Sequence, residues 1–385
     1  MPNAFDTVVI GGGPAGSVTA LLLAGMGWRT ALVEYGPRYR TKACGHCLNP
    51  RAYRMLRGLG LLEDVQRLGA GPTRHLRVHI EHRPPLRIPL LAGRDQDAGL
   101  LVERRRFDQL LIDRAATAGA QVIQPASARI ETLSTRHTTV EVVSDGSRQR
   151  LRCRLVVGAD GLGSAVARAA GLNRPAGVGR KFGFAFDLDC SSAEVIPRDT
   201  VEMFVVNGGY LGVVNHGRGM LHVAGLITRR AGTARNPYAF IESVAGRFER
   251  LQQTALNRLD RRHCSRLLAA GPMPWRPWTV ANDRVALVGD AAGYVEPFTG
   301  DGMSCALESA EALADVLADQ SPGDWTAATA RRYRRAWRDR VGRRQRICRI
   351  LAMALDRPGV RAAVFHAACG HPKMMRGLVR RVLTP

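Results

Sequence analysis

The chain has 385 residues, with 56 basic against 33 acidic side chains, a net charge of +23, and 45% hydrophobic residues. That is too apolar for a disordered chain and long enough for two interlocked domains, and no run approaches the ~20 apolar residues that cross a bilayer. Lys42, Lys181 and Lys373 are the only lysines, so 53 of the 56 basic residues are arginine, a compositional skew that weakens the charge as a sign of nucleic acid.

Thr7-Val8-Val9-Ile10 reads as a short buried strand, and Gly11-Gly12-Gly13-Pro14-Ala15-Gly16 leads from it into an apolar helix ending near Gly25 to Gly27. No charged and then apolar leader precedes that strand, which argues against a signal peptide. A second strand, Thr30 to Val33, closes on Glu34, 18 residues after Gly16. Strand, glycine turn, helix, strand and acid in this order predict dinucleotide binding. Gly11, Gly13 and Gly16 leave backbone N–H groups open to a pyrophosphate, and Glu34 can accept from the adenosine ribose.

Helices are predicted at about 49–58 and 105–118, then a strand at Gln121 to Ile123 and an alternating hairpin or meander at 128–133 and 138–143. Arg154 to Gly158 is a further buried strand running into Ala159-Asp160-Gly161. Between about 176 and 271 the text changes to strands with glycine-rich turns (182–188, 200–206, 210–214, 220–227) followed by helices around 238–260, as expected of an inserted domain. Arg284 to Val288 resumes the buried-strand pattern and runs into Gly289-Asp290, and a helix should start near 303. The first domain is therefore predicted to be discontinuous (1–75, 101–175 and 272–320), with 76–100 and 176–271 forming a substrate domain and 321–385 a basic helical region. In that last region ten arginines face one acid, Asp339, between 331 and 349, while Tyr333, Trp337, Val341, Cys348 and Leu351 keep near-helical spacing. The spacing predicts a helix packed on the body through this stripe; the alternative is an interfacial surface giving peripheral membrane contact. The aromatic residues are not interleaved with the arginines for base stacking, which counts against nucleic acid.

Two later segments distinguish FAD from NAD. Leu155-Val156-Val157-Gly158-Ala159-Asp160-Gly161, followed by Ser164 and Arg168, resembles the second motif of the para-hydroxybenzoate hydroxylase-like flavoproteins. Arg284 to Gly293, followed by Pro297 and Thr299-Gly300-Asp301-Gly302, resembles their third. Within that group Lys42-Ala43-Cys44-Gly45, Arg104-Arg105-Arg106-Phe107-Asp108 and Gly209-Tyr210-Leu211-Gly212 are similar to geranylgeranyl reductase-like oxidoreductases and to the flavoproteins accompanying type III polyketide synthases. The resemblance implies an α/β fold: an FAD-binding Rossmann-like (GR2-type) domain with an inserted mixed β-sheet substrate domain and a helical C-terminal extension. It implies FAD, with NAD(P)H as a transient reductant. Cofactor contacts are implied for Lys42, Arg104 near the phosphates, Ala128 near the adenine, and Asp160 and Gly161. Gly289 and Asp290 are implied at the ribityl or ribose hydroxyls, and Pro297, Gly300, Asp301, Gly302 and Met303 at the isoalloxazine. Cys44, Tyr210 and Pro297 are the candidates beside the reacting ring.

The expected activity is an NAD(P)H-dependent monooxygenase acting on a lipophilic aromatic or polyketide-like small molecule. The alternative is a reductase of carbon–carbon double bonds, although Tyr210-Leu211-Gly212-Val213-Val214-Asn215 stands where isoprenoid-chain reductases carry Tyr-x-Trp-x-Phe-Pro. The Trp-x-Trp-x-Ile-Pro motif of flavin halogenases is missing too. Cys44-Gly45-His46-Cys47 suggests a thiol–disulfide oxidoreductase as a third reading, weakened because no strand precedes a second glycine fingerprint. One Cys-x-x-Cys supplies only two metal ligands, and His75, His79, His82, His216 and His222 are spaced for structural or solvent-facing roles, so no metal is expected. The eight cysteines are mostly isolated in apolar segments, as at Cys153, Cys190 and Cys305, which fits a reducing cytoplasm.

Overall fold

The computed structural model describes residues 4–92, 97–134, 137–173, 181–190, 195–228, 236–273, 277–294, 300–355 and 357–370. Five short parallel strands, all but the edge strand Gln121–Ile123 buried along their length, form the central sheet in the order Val285–Leu287, Leu155–Gly158, Thr7–Ile10, Thr30–Val33, Gln121–Ile123. Parallel strands of this kind need both faces covered. The helices Pro14–Gly25, Arg104–Thr117 and Gly302–Leu317 pack together as part of that cover. Val140, Val142 and Leu151 of a three-stranded antiparallel meander (Ser127–Leu133, Thr138–Ser144, Ser147–Cys153) share the central core. The chain order reverses on either side of Thr7–Ile10, and at such a switch point the carboxyl ends of neighbouring strands open a crevice.

The last meander strand was not legible beforehand. Its text, Ser-Arg-Gln-Arg-Leu-Arg-Cys, buries only Leu151 and Cys153, so arginines on the open face hide the alternation.

A second, seven-stranded sheet runs Leu268–Met273, Lys181–Asp189, Met220–Thr228, Gly209–Gly217, Thr200–Val206, His75–Ile80, Leu86–Pro89. All its pairings are antiparallel except that of His75–Ile80 with Thr200–Val206. Alternation with period two gives it two different faces. Phe184, Phe186, Leu211, Val213 and Val223 lie under the helices Pro237–Ala245 and Glu249–Gln252. Gly183, Tyr210, Gly212, Val214, His222 and Ala224 face the crevice of the first sheet. Asp97–Leu101, expected beside these strands, pairs instead with Cys47–Leu48 and Gly71–Thr73.

The arginine-rich region is helical over Ala327–Trp337 and Arg343–Leu355, joined by a widened turn at Arg338–Gly342, and a last helix spans Pro358–Gly370. Of its predicted stripe, Tyr333, Trp337, Val341 and Cys348 pack on the body, and the Leu351 side chain lies outside the described residues. Tyr333 is fully buried and donates its hydroxyl to the carbonyl of Leu287 at 2.7 Å, and Val341 and Cys348 sit against Cys305.

Candidate active site

The glycine turn exists because two backbone segments meet with no room for a side chain. Gly11 has φ +109°, and a Cβ on it would stand 2.3 Å from the carbonyl oxygen of Ala159; one on Gly16 would stand 1.8 Å from the carbonyl oxygen of Gly11. The following helix thus presses onto the sheet, and no side chain caps its N-terminus at Gly13, so its first N–H groups and positive dipole end face the crevice. Glu34 fastens the turn as well as facing the cavity: its two carboxylate oxygens accept from the N–H groups of Gly12 at 2.6 Å and Gly36 at 2.7 Å.

A second helix N-terminus opens into the other end of the same cavity. Gly300 takes φ +64°, and Gly300, Gly302 and Met303 line the space at the start of the helix Gly302–Leu317. Between the two ends lies Asp290. Among the described residues no donor hydrogen-bonds to its carboxylate, and burial, opposed by Arg104, raises it to about 6. Such an unpartnered, desolvated acid is costly unless a ligand hydroxyl meets it.

The wall beside Asp290 is built from Arg104, which donates to both oxygens of Asp108 at 2.8 and 3.1 Å, with the Lys42 ammonium 3.3 Å from the same carboxylate. Burial opposes the Arg104 charge, but Asp108 and the neighbouring Cys44 outweigh it and hold the guanidinium above its ordinary value. Cys44 lines the cavity; the Cys47 thiol is pushed up to about 12 by burial and by Cys44. The same cavity, of about 860 Å3, continues into an apolar chamber walled by Leu76, Val201, Met203, Tyr210, Val214 and Met273.

These residues suit FAD: one helix end for a pyrophosphate, a lone buried carboxylate for a ribityl hydroxyl, and a second helix end for a ring carbonyl. The sequence pattern described as "FAD binding domain" matches residues 4–345. The chain belongs to the FAD binding domain family. This flavoprotein is similar to digeranylgeranylglycerophospholipid reductase 2 of Methanothermobacter thermautotrophicus, with 29% identity over 351 residues covering 88% of this chain and 84% of the relative. It is 25% identical to a 1H-pyrrole-2-carbonyl-[peptidyl-carrier protein] chlorinase of Pseudomonas fluorescens, over 86% of this chain and 79% of that one. Its fold matches that of a geranylgeranyl bacteriochlorophyll reductase-like protein from Thermoplasma acidophilum at a TM-score of 0.75 and 21% identity, covering 100% of this chain and 92% of that one. It is an FAD-dependent oxidoreductase with the Rossmann-like α/β fold.

Of the site residues expected in this flavoprotein, Gly11, Gly13, Pro14, Ala15, Glu34, Lys42, Cys44, Arg104, Ala128, Asp160, Gly161, Tyr210, Gly289, Asp290, Gly300, Gly302 and Met303 all line the one cavity. Gly16 does not line it; it acts by letting the helix touch the sheet. Asp160 lines the cavity with both carboxylate oxygens already engaged at the start of the short helix Ala165–Ala169, accepting from the Ser164 hydroxyl at 2.5 Å and the Val166 N–H at 3.1 Å. Asp301 requires a correction. Its carboxylate is fully buried, 2.5 Å from Nε of Arg344 and 3.0 Å from Nδ2 of Asn49, so its side chain anchors the C-terminal helices and is not free for the flavin. Pro297 lies outside the described residues.

The histidine reading missed a cluster. His216 and His222 come from neighbouring strands and His46 from the Cys44–Cys47 segment, 170 and 176 residues away in sequence, to meet beside Asp187. Spacing along the chain carried no signal of it, since the sheet register brings the residues together. His79 is structural as expected, stacked on Phe204 and 2.5 Å from Glu202.

Proposed function

We propose that this flavoprotein is a reductase that saturates carbon–carbon double bonds of a lipophilic, extended substrate, with NAD(P)H as the source of reducing equivalents. The observation that carries this reading is the single cavity that runs from the cofactor groove into the apolar chamber, which lets a hydrocarbon segment lie against the reacting ring. Relatives named as digeranylgeranylglycerophospholipid reductases point the same way. Bound FAD supplies the hydride; the chain orients the substrate, excludes water through the apolar wall and holds Cys44 at the mouth of the chamber.

Tyr210, Gly212 and Val214 alternate onto the chamber wall. Gly212 and Val214 occupy the places of Trp and Phe in the isoprenoid-reductase signature, so the chamber is wider there than those rings would leave it. That favours a substrate bulkier than a bare isoprenoid chain, and a polyketide-like molecule would also meet the requirement.

The test is anaerobic. The enzyme is reduced with NADPH or NADH and then mixed with digeranylgeranylglycerophospholipid or a shorter prenyl lipid. Flavin reoxidation together with a product carrying one added H2 per double bond supports the reductase. Reoxidation that needs oxygen, with one oxygen atom appearing in the product, would establish the monooxygenase instead.

A further inference from the structure

The segment Cys44-Gly45-His46-Cys47 lies over one end of the seven-stranded sheet, and His222 joins the two. His222 pairs in register with Asp187 on the neighbouring strand, and its Nδ1 is 2.6 Å from an Asp187 oxygen. Its Nε2 is 2.6 Å from the carbonyl oxygen of Cys44. Burial raises the Asp187 carboxyl, but the hydrogen bond from His222 outweighs it and leaves the group below its ordinary value, so Asp187 is an ionised acceptor. A peptide carbonyl has no proton to give either. An acceptor faces each nitrogen of His222, so the ring bridges Asp187 and the Cys44 carbonyl, with both nitrogens placed to donate.

His46 stacks on that ring with centroids 3.5 Å apart and planes 11° apart. Burial, His222, His216 and Arg104 push His46 well below its ordinary value, so the ring stacked on His222 is neutral. The Nδ1 of His46 is 3.1 Å from Nε2 of the solvent-exposed His216. The charged groups around this stack are Asp187, Arg104, Arg105 and Glu103.

Ligand atoms of His46, Asp187 and His222 lie within 4.8 Å of one another, the spacing of a metal site. A metal bonded to two imidazoles sits close to the plane of each ring, about 2.0–2.1 Å from each nitrogen. Rings stacked nearly parallel share no such point, and both nitrogens of His222 are already engaged. The arrangement is that of a hydrogen-bonded bridge.

We propose that His222 is a positioning residue whose bridging ring, held by Asp187, clamps the Cys44 carbonyl and fixes the Cys44 side chain at the junction of the flavin groove and the substrate chamber. The proposal rests on the reading that this junction is where substrate meets the flavin, but its test needs no substrate. Replacement by Gln keeps a donor for one partner only.

The experiment uses the full-length, FAD-loaded enzyme. Iodoacetamide labelling of Cys44 is followed by peptide mass spectrometry at one fixed pH, each rate divided by that of the unfolded chain under the same conditions. The flavin's visible circular dichroism is recorded alongside. His222→Gln and the half-exposed Asp187→Asn should be weakly protected, labelled about two- to tenfold faster than wild type, the worth of one hydrogen bond, and the circular dichroism should change in parallel while FAD stays bound. Equal protection in wild type and both variants, including no labelling in any of them, overturns the clamp. So does stoichiometric zinc in the purified enzyme that is lost with His46→Ala. Failure of the reductase reading would leave these readouts unchanged.

Discussion

Replacing Asp290 by Asn should move two measurable quantities in opposite directions. In the apoprotein no donor among the described residues meets the Asp290 carboxylate, and burial, opposed by Arg104, raises it to about 6 from the ordinary 3.8. A folded-state value raised above the unfolded one means that the folded state holds its proton more tightly, so this group's contribution becomes destabilising as pH rises through that interval. At ~1.4 kcal/mol per unit, the cost reaches about 3 kcal/mol at pH 8 and about half of that at pH 5. Asn carries no charge and should remove the cost, raising the apoprotein's melting temperature at pH 8 by a few degrees and by less at pH 5. FAD binding should respond the other way. A ribityl hydroxyl donating to a carboxylate gains about 1.5–3 kcal/mol against about 0.5–1.5 for a neutral amide, so the dissociation constant should rise about 5- to 13-fold. Flavin titration of apoprotein and thermal melts at the two pH values test both arms. An apoprotein variant no more stable than wild type at pH 8, or one binding FAD as tightly as wild type, would refute the role given to Asp290.

Arg344 is buried against Asp301, Glu308 and the Cys305 sulfur, and burial raises Asp301 despite the arginine. Arg344→Leu strands those acids without their cation and should cost about 3–5 kcal/mol in urea denaturation; a loss under about 1 kcal/mol would count against the anchor. Removing everything after Pro322 should likewise give insoluble or flavin-poor protein, because Tyr333 and Val341 leave an apolar surface behind. Cys47→Ser should leave flavin reduction and turnover intact, since a thiol pushed up to about 12 stays protonated at neutral pH; normal flavin reduction with lost turnover would revive a dithiol relay. Ile347, Ile350 and Met353, 43, 62 and 60% exposed, form an outward row on Arg343–Leu355 beside the exposed Arg343 and Arg346. Full-length protein should therefore sediment with anionic vesicles, more weakly at 0.1 M than at 0.01 M salt as the Debye length falls from about 30 to about 10 Å. Ile350→Glu with Met353→Glu should abolish the binding, and vesicle binding that survives this change would place the contact elsewhere.

Local sequence was enough wherever function depends on the backbone. The turn from Gly11 to Gly16, the acid closing Thr30–Val33 and the strand running into Gly289-Asp290 could be read directly, because a pyrophosphate site is made of N–H groups, glycine spacing and one strand end, all encoded within about thirty residues. The tail's packing stripe was legible for a similar reason, since Tyr333, Val341 and Cys348 keep one helix face apolar whatever they touch. Only the tertiary structure decided what depends on partners distant in the chain. Asp301 reads as a ring contact beside two glycines, yet Arg344, 43 residues later, and Asn49, 252 residues earlier, claim both its oxygens. Asp160 looks like a cofactor acid until the Ser164 hydroxyl and the Val166 N–H turn it into a cap. The His46, His216, His222 and Asp187 cluster is the clearest case: strand register sets Asp187 opposite His222, and a loop from the first domain lays His46 across them. Side-chain chemistry is written residue by residue, but which acceptor reaches which donor is fixed by sheet register and domain closure, and no short stretch of sequence contains either.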